Sequence, residues 1–211
     1  GFQANIAAMQ VLADRESIVI ADKLIHNSLL TGVKASGAKL VRFLHNNFLD
    51  LEKKLSKYSL SNCHIVVVIE SLYSMEGSIA PIYEITNICK KYKVKLFVDE
   101  AHAIGILGPY GKGLTNKISK DVSMISATFG KSFGSGGAFL ACDEDIGNYI
   151  IQKSGAFRYT TALSPSLAAG AFKSLEIIRS NPQWGNELVK LSKIWKKRMN
   201  EICKFKVTGD C

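Results

Sequence analysis

Proline is scarce in this chain, four residues in 211, and nothing in the composition has the bias of a disordered segment. The longest apolar run, Ile65 to Ile69, falls far short of the roughly 20 residues that cross a bilayer, so no membrane span is expected. Five cysteines, at 63, 89, 142, 203 and 211, make neither a CxxC pair nor the dense framework of a small secreted domain. No charged-then-apolar leader is present either, and a reducing, cytoplasmic compartment is the simplest expectation. HExxH and paired Cys/His spacings are also missing, which argues against a metal site.

Charge is plentiful: 27 Lys and Arg against 18 Asp and Glu give a formal net charge of +9. The basic residues are scattered, apart from Lys90-Lys91 and Lys196-Lys197-Arg198, so a solvated basic surface is expected and no nucleic-acid partner. Such a surface attracts anionic small molecules, including phosphate-bearing cofactors and thioester carriers.

Hydrophobic residues make up 47% of the chain, enough for one sizeable core. Phe2, Ile6, Met9 and Leu12 recur at helical spacing, and SIVIAD after Asp14 reads as a strand. The alternation continues with a helix at 26–36, strand KLVRFL (39–44), helix 50–58, strand HIVVVIE (64–70), helix 82–92 behind Pro81, and strand KLFVDE (95–100). Apolar runs without polar alternation suit strands covered on both faces, so the fold class is α/β with a mostly parallel sheet. Strand SMISATF (123–129) and the strand at 137–143 are too close for a crossover helix and should be antiparallel neighbours. Leu188, Leu191, Trp195, Met199 and Ile202 predict a long amphipathic helix, followed by a last strand, FKVTG. Because the chain opens at Gly1 in a helix start and stops just after that strand, it reads as an excerpt of a longer protein.

Two motifs carry chemistry. In V-D-E-A-H-A-I-G, Asp99 and His102 follow a buried strand, at the edge where open α/β sheets place ligands. The letters DEAH also name a helicase box, but that reading needs an upstream phosphate loop, and none precedes it. The only GKS, Gly130-Lys131-Ser132, comes later and has Ile125 in place of the loop's first glycine. The second motif, S-A-T-F-G-K-S-F-G-S-G-G, ends a strand in a lysine bracketed by Gly130, Gly134, Gly136 and Gly137. Small neighbours let backbone approach a ligand, and a partly desolvated lysine becomes a nucleophilic amine able to form a Schiff base. Taken alone, the segment reads more readily as a plain glycine-rich hairpin with an exposed lysine.

Together the motifs resemble the α-oxoamine synthases of the fold-type I pyridoxal-5′-phosphate (PLP) enzymes. The likeness runs over nearly the whole chain: GFQAN at the start, ADKLIHNSLL, RFLHNN (42–47), ESLYSMEGSIAP (70–81), FVDEAHAIGILGPYGKG (97–113), TFGKSFGSGG (128–137) and YTTALSP (159–165). It implies a three-layer, aspartate-aminotransferase-like fold whose sheet carries one antiparallel strand. Residues 1–180 would be the PLP-binding large domain without its N-terminal part, and 181–211 a linking helix and the start of a small C-terminal domain.

Carried over by residue, the resemblance implies that Lys131 holds PLP covalently and moves the substrate Cα proton. Asp99 would pair with the pyridinium nitrogen, His102 with the phenolic oxygen, and His26 would stack on the ring. Gly1 and Phe2, at a helix N-terminus, would receive the phosphate with Thr128. Glu70 and Ser74 would lie near the ring and the reacting thioester. Thr161, with Thr160 beside it, would reach the phosphate of a neighbouring subunit, implying a homodimer with shared active sites. The implied reaction is a decarboxylative condensation of an amino acid with an acyl thioester. ESLYSMEGSIAP and YTTALSP look most like members that join L-alanine to a pimeloyl thioester, and KSFGSGG is similar to members using other pairs. His64 reads as a surface residue, and His45 with Asn46 as a substrate-side contact. A non-catalytic scaffold subunit would keep the fold, but the presence of Lys131, Asp99 and His102 argues against one.

Overall fold

The computed structural model describes residues 1–60, 63–204 and 206–211. Its frame is a six-stranded sheet: β1 (Ile18–Asp22), β2 (Lys39–Phe43), β3 (Ile65–Glu70), β4 (Lys95–Asp99), β5 (Met124–Thr128) and β6 (Ala138–Cys142). The order is β2-β1-β3-β4-β5-β6, parallel throughout except for β6, which runs antiparallel to β5. The short 129–137 connection leaves no room for a crossover, which is why this last pair closes as a hairpin. Every residue of β1 and β3 is buried. Since consecutive strand residues face opposite ways, both faces of the sheet are covered, which explains the unbroken IVVVI run.

Helix α1 (Phe2–Leu12) packs on α2 (Asn27–Ser36), and α3 (Phe48–Tyr58) packs on α4 (Ile82–Tyr92). Gly32 permits the first crossing, because a Cβ there would lie 2.9 Å from Met9 Cβ. The α2 helix is capped by His26, whose ring accepts from Ser28 N, and it ends at Gly37 in the left-handed region (φ 78°). Asn47 caps α3, which therefore begins at Phe48, two residues earlier than the apolar spacing alone suggested.

From β1 the chain moves outward to β2, then crosses to β3 on the other side of β1. The loops leaving β1 and β3 therefore diverge, opening a crevice at the carboxyl ends of the strands. This switch point positions the site.

The rest is helical: α5 (Glu144–Lys153), the short α6 (Gly155–Arg158), α7 (Pro165–Ser180) and α8 (Trp184–Ile202). The long amphipathic helix expected from Leu188 to Ile202 is α8, and its apolar stripe is exposed. Among the described residues of the last expected strand, FKVTG, no strand is formed. Phe205 lies outside the described residues, and 206–211 is irregular. Its Asp210 amide donates to Gly77 O (2.7 Å), and its carboxylate accepts from Ile79 N (2.8 Å), so a turn rather than a sheet edge satisfies it. Among the described residues no helix is long and apolar enough to cross a membrane, and all five cysteines are free.

Candidate active site

At the switch point lies a cleft of about 220 Å³, lined by Gly1 and Phe2 of α1, His26 before α2, Glu70 of β3, Asp99 of β4 and Lys131 of the β5–β6 turn, among others. Three side chains share one register across neighbouring strands: Glu70 pairs with Asp99, and Asp99 with Ser126. All three are buried.

Asp99 is held by two donors. Ala101 N reaches Oδ1 at 2.8 Å, and Asn5 Nδ2 reaches Oδ2 at 2.7 Å. Asn5 is buried and fully used: its second amide hydrogen goes to Ser28 Oγ (2.9 Å), and its Oδ1 accepts from Ser126 Oγ (2.7 Å). Ser28 Oγ, having accepted from Asn5, gives its own proton to His26 Nδ1 (2.7 Å), which also accepts from Ser28 N (3.2 Å). That leaves the His26 ring proton on Nε2. One hydrogen-bonded chain thus runs from Asp99 through Asn5 and Ser28 to His26. Phe2 meets His26 edge-on, with ring centroids 6.3 Å apart.

Lys131 Nζ lies 2.6 Å from His102 Nε2. Burial lowers the pKa of the Lys131 amine, although Asp99 and Glu70 pull the other way. Burial lowers His102 as well, and the nearby Lys131 charge adds to it. The lysine turn is pinned by Ser132, whose Oγ donates to Ile104 O (2.6 Å). Gly105 (φ 82°) makes that contact possible, since a Cβ there would sit 2.5 Å from Ser132 Oγ.

Glu70 accepts the His26 amide on Oε1 at 2.5 Å. Burial, reinforced by the neighbouring Asp99, pushes its pKa up to about 8. Glu100, also buried, clasps the loops from below. Its Oε2 accepts from Ser71 Oγ (2.7 Å) and its Oε1 from Thr115 N (2.6 Å), fixing the segment that carries His102.

At the far end of the cleft, α1 has no side-chain cap and no acidic residue in its first turn, so its first amides stay available to an anion. Thr128 stands beside them: a Cβ on Gly1 would be 3.4 Å from Thr128 Cβ.

The profile of the family described as aminotransferase class I and II matches residues 1–211. The chain belongs to that family. It is 36% identical over 186 residues to the 8-amino-7-oxononanoate synthase of Marinobacter nauticus, covering 87% of this chain and 46% of that protein. Among solved structures it resembles the Sphingomonas wittichii serine palmitoyltransferase (SPT), with TM-score 0.90 and 28% identity over 98% of this chain and 53% of that one. SPT with the PLP internal aldimine is similar at TM-score 0.88 and 27% identity, covering 98% of this chain and 54% of the other. The chain spans about half the length of the curated relatives it matches. The resemblance to α-oxoamine synthases and the α/β fold with one antiparallel strand are both borne out.

The cofactor of that resemblance suits the cleft: a nucleophilic amine, a carboxylate backed by two donors and an uncapped helix end with a hydroxyl face one space. The structure brings together Gly1, Phe2, His26, Glu70, Asp99, His102, Thr128 and Lys131. Ser74, Thr160 and Thr161 are exposed and do not line the cleft. His64 is exposed, as expected. His45 and Asn46 do not line the cleft; they bind the buried Asp22 (3.0 Å from His45 Nδ1, 2.8 Å from Asn46 N), and His45 Nε2 meets Ser78 Oγ at 2.7 Å. Motif reading missed Asn5, Ser28 and Ser126. A buried-type polar residue among the apolar positions of α1 was the available signal for Asn5.

Proposed function

We propose that this chain is the cofactor-binding part of a PLP-dependent α-oxoamine synthase that condenses L-alanine with a pimeloyl thioester, giving 8-amino-7-oxononanoate, CO₂ and the free thiol, a step of biotin synthesis. The carrying observation is the Lys131 amine, 2.6 Å from His102 and facing Asp99 across one cleft. Relatives named 8-amino-7-oxononanoate synthase support the choice of substrates.

Bound in the cleft, PLP supplies an electron sink for the charge left at the substrate Cα. Asp99, held ready by Asn5 and Ala101, offers a carboxylate to a ring nitrogen. His102 holds a polar ring substituent, and His26, fixed through Ser28, offers its face. Lys131 is the covalent anchor. Its nitrogen would also be the base that takes the substrate Cα proton, a task that its lowered pKa favours. The α1 N-terminus with Thr128 takes the phosphate, and Thr160 and Thr161 extend to the phosphate of a second copy in a homodimer.

Borohydride reduction of the holoenzyme followed by peptide mapping tests the cofactor assignment. A pyridoxyl group is expected on Lys131 alone, and Lys131→Ala should lower turnover at least about 1,000-fold, as loss of a covalent and proton-moving group does. No pyridoxyl group after incubation with PLP would overturn the assignment and leave a scaffold subunit. The likeness to SPT favours a second reading, a serine and palmitoyl pair. Alanine, serine and glycine, each offered with pimeloyl, palmitoyl, succinyl and acetyl thioesters, separate the two, because only one pair should release CO₂ efficiently.

A further inference from the structure

Two carboxylates stand side by side in the cleft, Glu70 and Asp99, in register on adjacent parallel strands that lie about 4.8 Å apart. Both are buried. Like charges this close, away from water, do not both ionise readily. The surroundings break the tie. Asp99 receives a side-chain amide and a backbone amide, one on each oxygen. Among the described residues, Glu70 has one donor to its carboxyl group, the His26 amide, on Oε1.

We propose that Glu70 and Asp99 act as a carboxyl pair in which Glu70 keeps the proton and Asp99 the charge, making Glu70 a positioning residue for the lysine chemistry. This inference rests on the function proposed above and goes beyond it in giving Glu70 a defined protonation state. With Glu70 neutral, the cleft offers a single negative charge, directed to the cofactor ring, while Oε1 still anchors the backbone of His26. Ionisation of Glu70 would put a second negative charge near Lys131 and make its amine harder to deprotonate. The charged and titratable groups acting on Glu70 are Asp99 of β4, Lys131 of the β5–β6 turn and Asp22 of β1; the His26 amide binds it. The direction of the Glu70 shift, up to about 8, agrees with this arrangement.

The test uses the cofactor-free protein, so it is separable from the reaction. Carboxyl NMR should find Glu70 protonated at pH 6.5, titrating near pH 8. The amine of Lys131, followed by its rate of modification with an acylating reagent, should titrate at lower pH in Glu70→Gln than in the wild type, with the gap opening only above the Glu70 transition. Glu70→Ala, lacking the acceptor for His26 N–H, should in addition weaken PLP binding more than Glu70→Gln does. An ionised Glu70 at pH 6.5, or identical Lys131 titrations in wild type and Glu70→Gln, would overturn the proposal. Failure to find a pyridoxyl group on Lys131 would instead strike the functional reading and leave the carboxyl pair standing.

Discussion

At the scale of the residue, Asn5 ties the site together. Its amide satisfies Asp99, Ser28 and Ser126 at once, all inside the protein. Asn5→Ala strands those groups without partners, and a buried unsatisfied group costs roughly 1–3 kcal/mol. A urea midpoint shift of that size is expected, along with weaker PLP binding as Asp99 and His26 lose their common support. Asn5→Asp should be worse for the cofactor, since it places another carboxylate against Asp99. Glu70 gives a prediction with a definite sign. Its folded pKa of about 8 exceeds the ordinary 4.5, so the folded state holds a proton that the unfolded chain releases. Stability therefore falls as pH rises from about 4.5 to about 8 and flattens above. Glu70→Gln removes that contribution, and the wild type should lose on the order of a few kcal/mol relative to the variant across the window. Thermal midpoints of both proteins at several pH values decide it, and parallel curves would contradict the assigned burial effect.

Elements carry the site because their ends converge, and here packing rather than chemistry sets tolerance. Gly32 lies where α2 crosses α1, against Met9 and Asn5 O. Gly32→Val has to push α1 away, which over-packs the crossing by about 1–3 kcal/mol and displaces Gly1 and Asn5 together. Loss of PLP affinity should accompany the fall in melting temperature; a normal affinity would show that α1 is not placed by this crossing. Periodicity made the elements legible. Continuous apolar runs marked β1, β3 and β4, and the short glycine-rich gap marked the antiparallel β6. Cap geometry was less legible, since Asn47 starts α3 through a hydrogen bond to Asp50 N that hydrophobic spacing does not report. The end after α8 departs from the expected strand because its amides find partners off any sheet: Val207 N donates to Asn200 Oδ1, and the amides of Asp210 and Cys211 to Gly77 O, bonds that the residue pattern does not report. Motifs announced the side chains expected to touch the cofactor, Lys131, Asp99 and the two histidines. The residues behind them were hidden because Asn5, Ser28 and Ser126 come from three elements and form a network only after folding.

For the whole molecule, the exposed parts matter most. Thr160 and Thr161 sit in open chain between α6 and α7, away from the cleft of their own subunit. Apolar side chains remain uncovered along α7 and α8, including Phe172, Leu188, Leu191 and Trp195. A site shared between two copies makes a prediction that sites confined to one copy do not. In a dimer with shared sites, Lys131→Ala would lack the amine and Thr161→Ala the hydroxyl lent to the other copy, so either variant alone would be impaired at both sites. In a mixed dimer one site combines both defects and the other has an intact Lys131 facing an intact Thr161. Random exchange makes half the dimers mixed, so the mixture should recover about a quarter of wild-type sites. Turnover measured after denaturing and refolding the two variants together, against each refolded alone, reads this directly. Recovery near that level supports the shared site. Turnover equal to the mean of the separate variants would place Thr161 in the service of its own subunit, where the present geometry leaves it exposed and apart from the cleft.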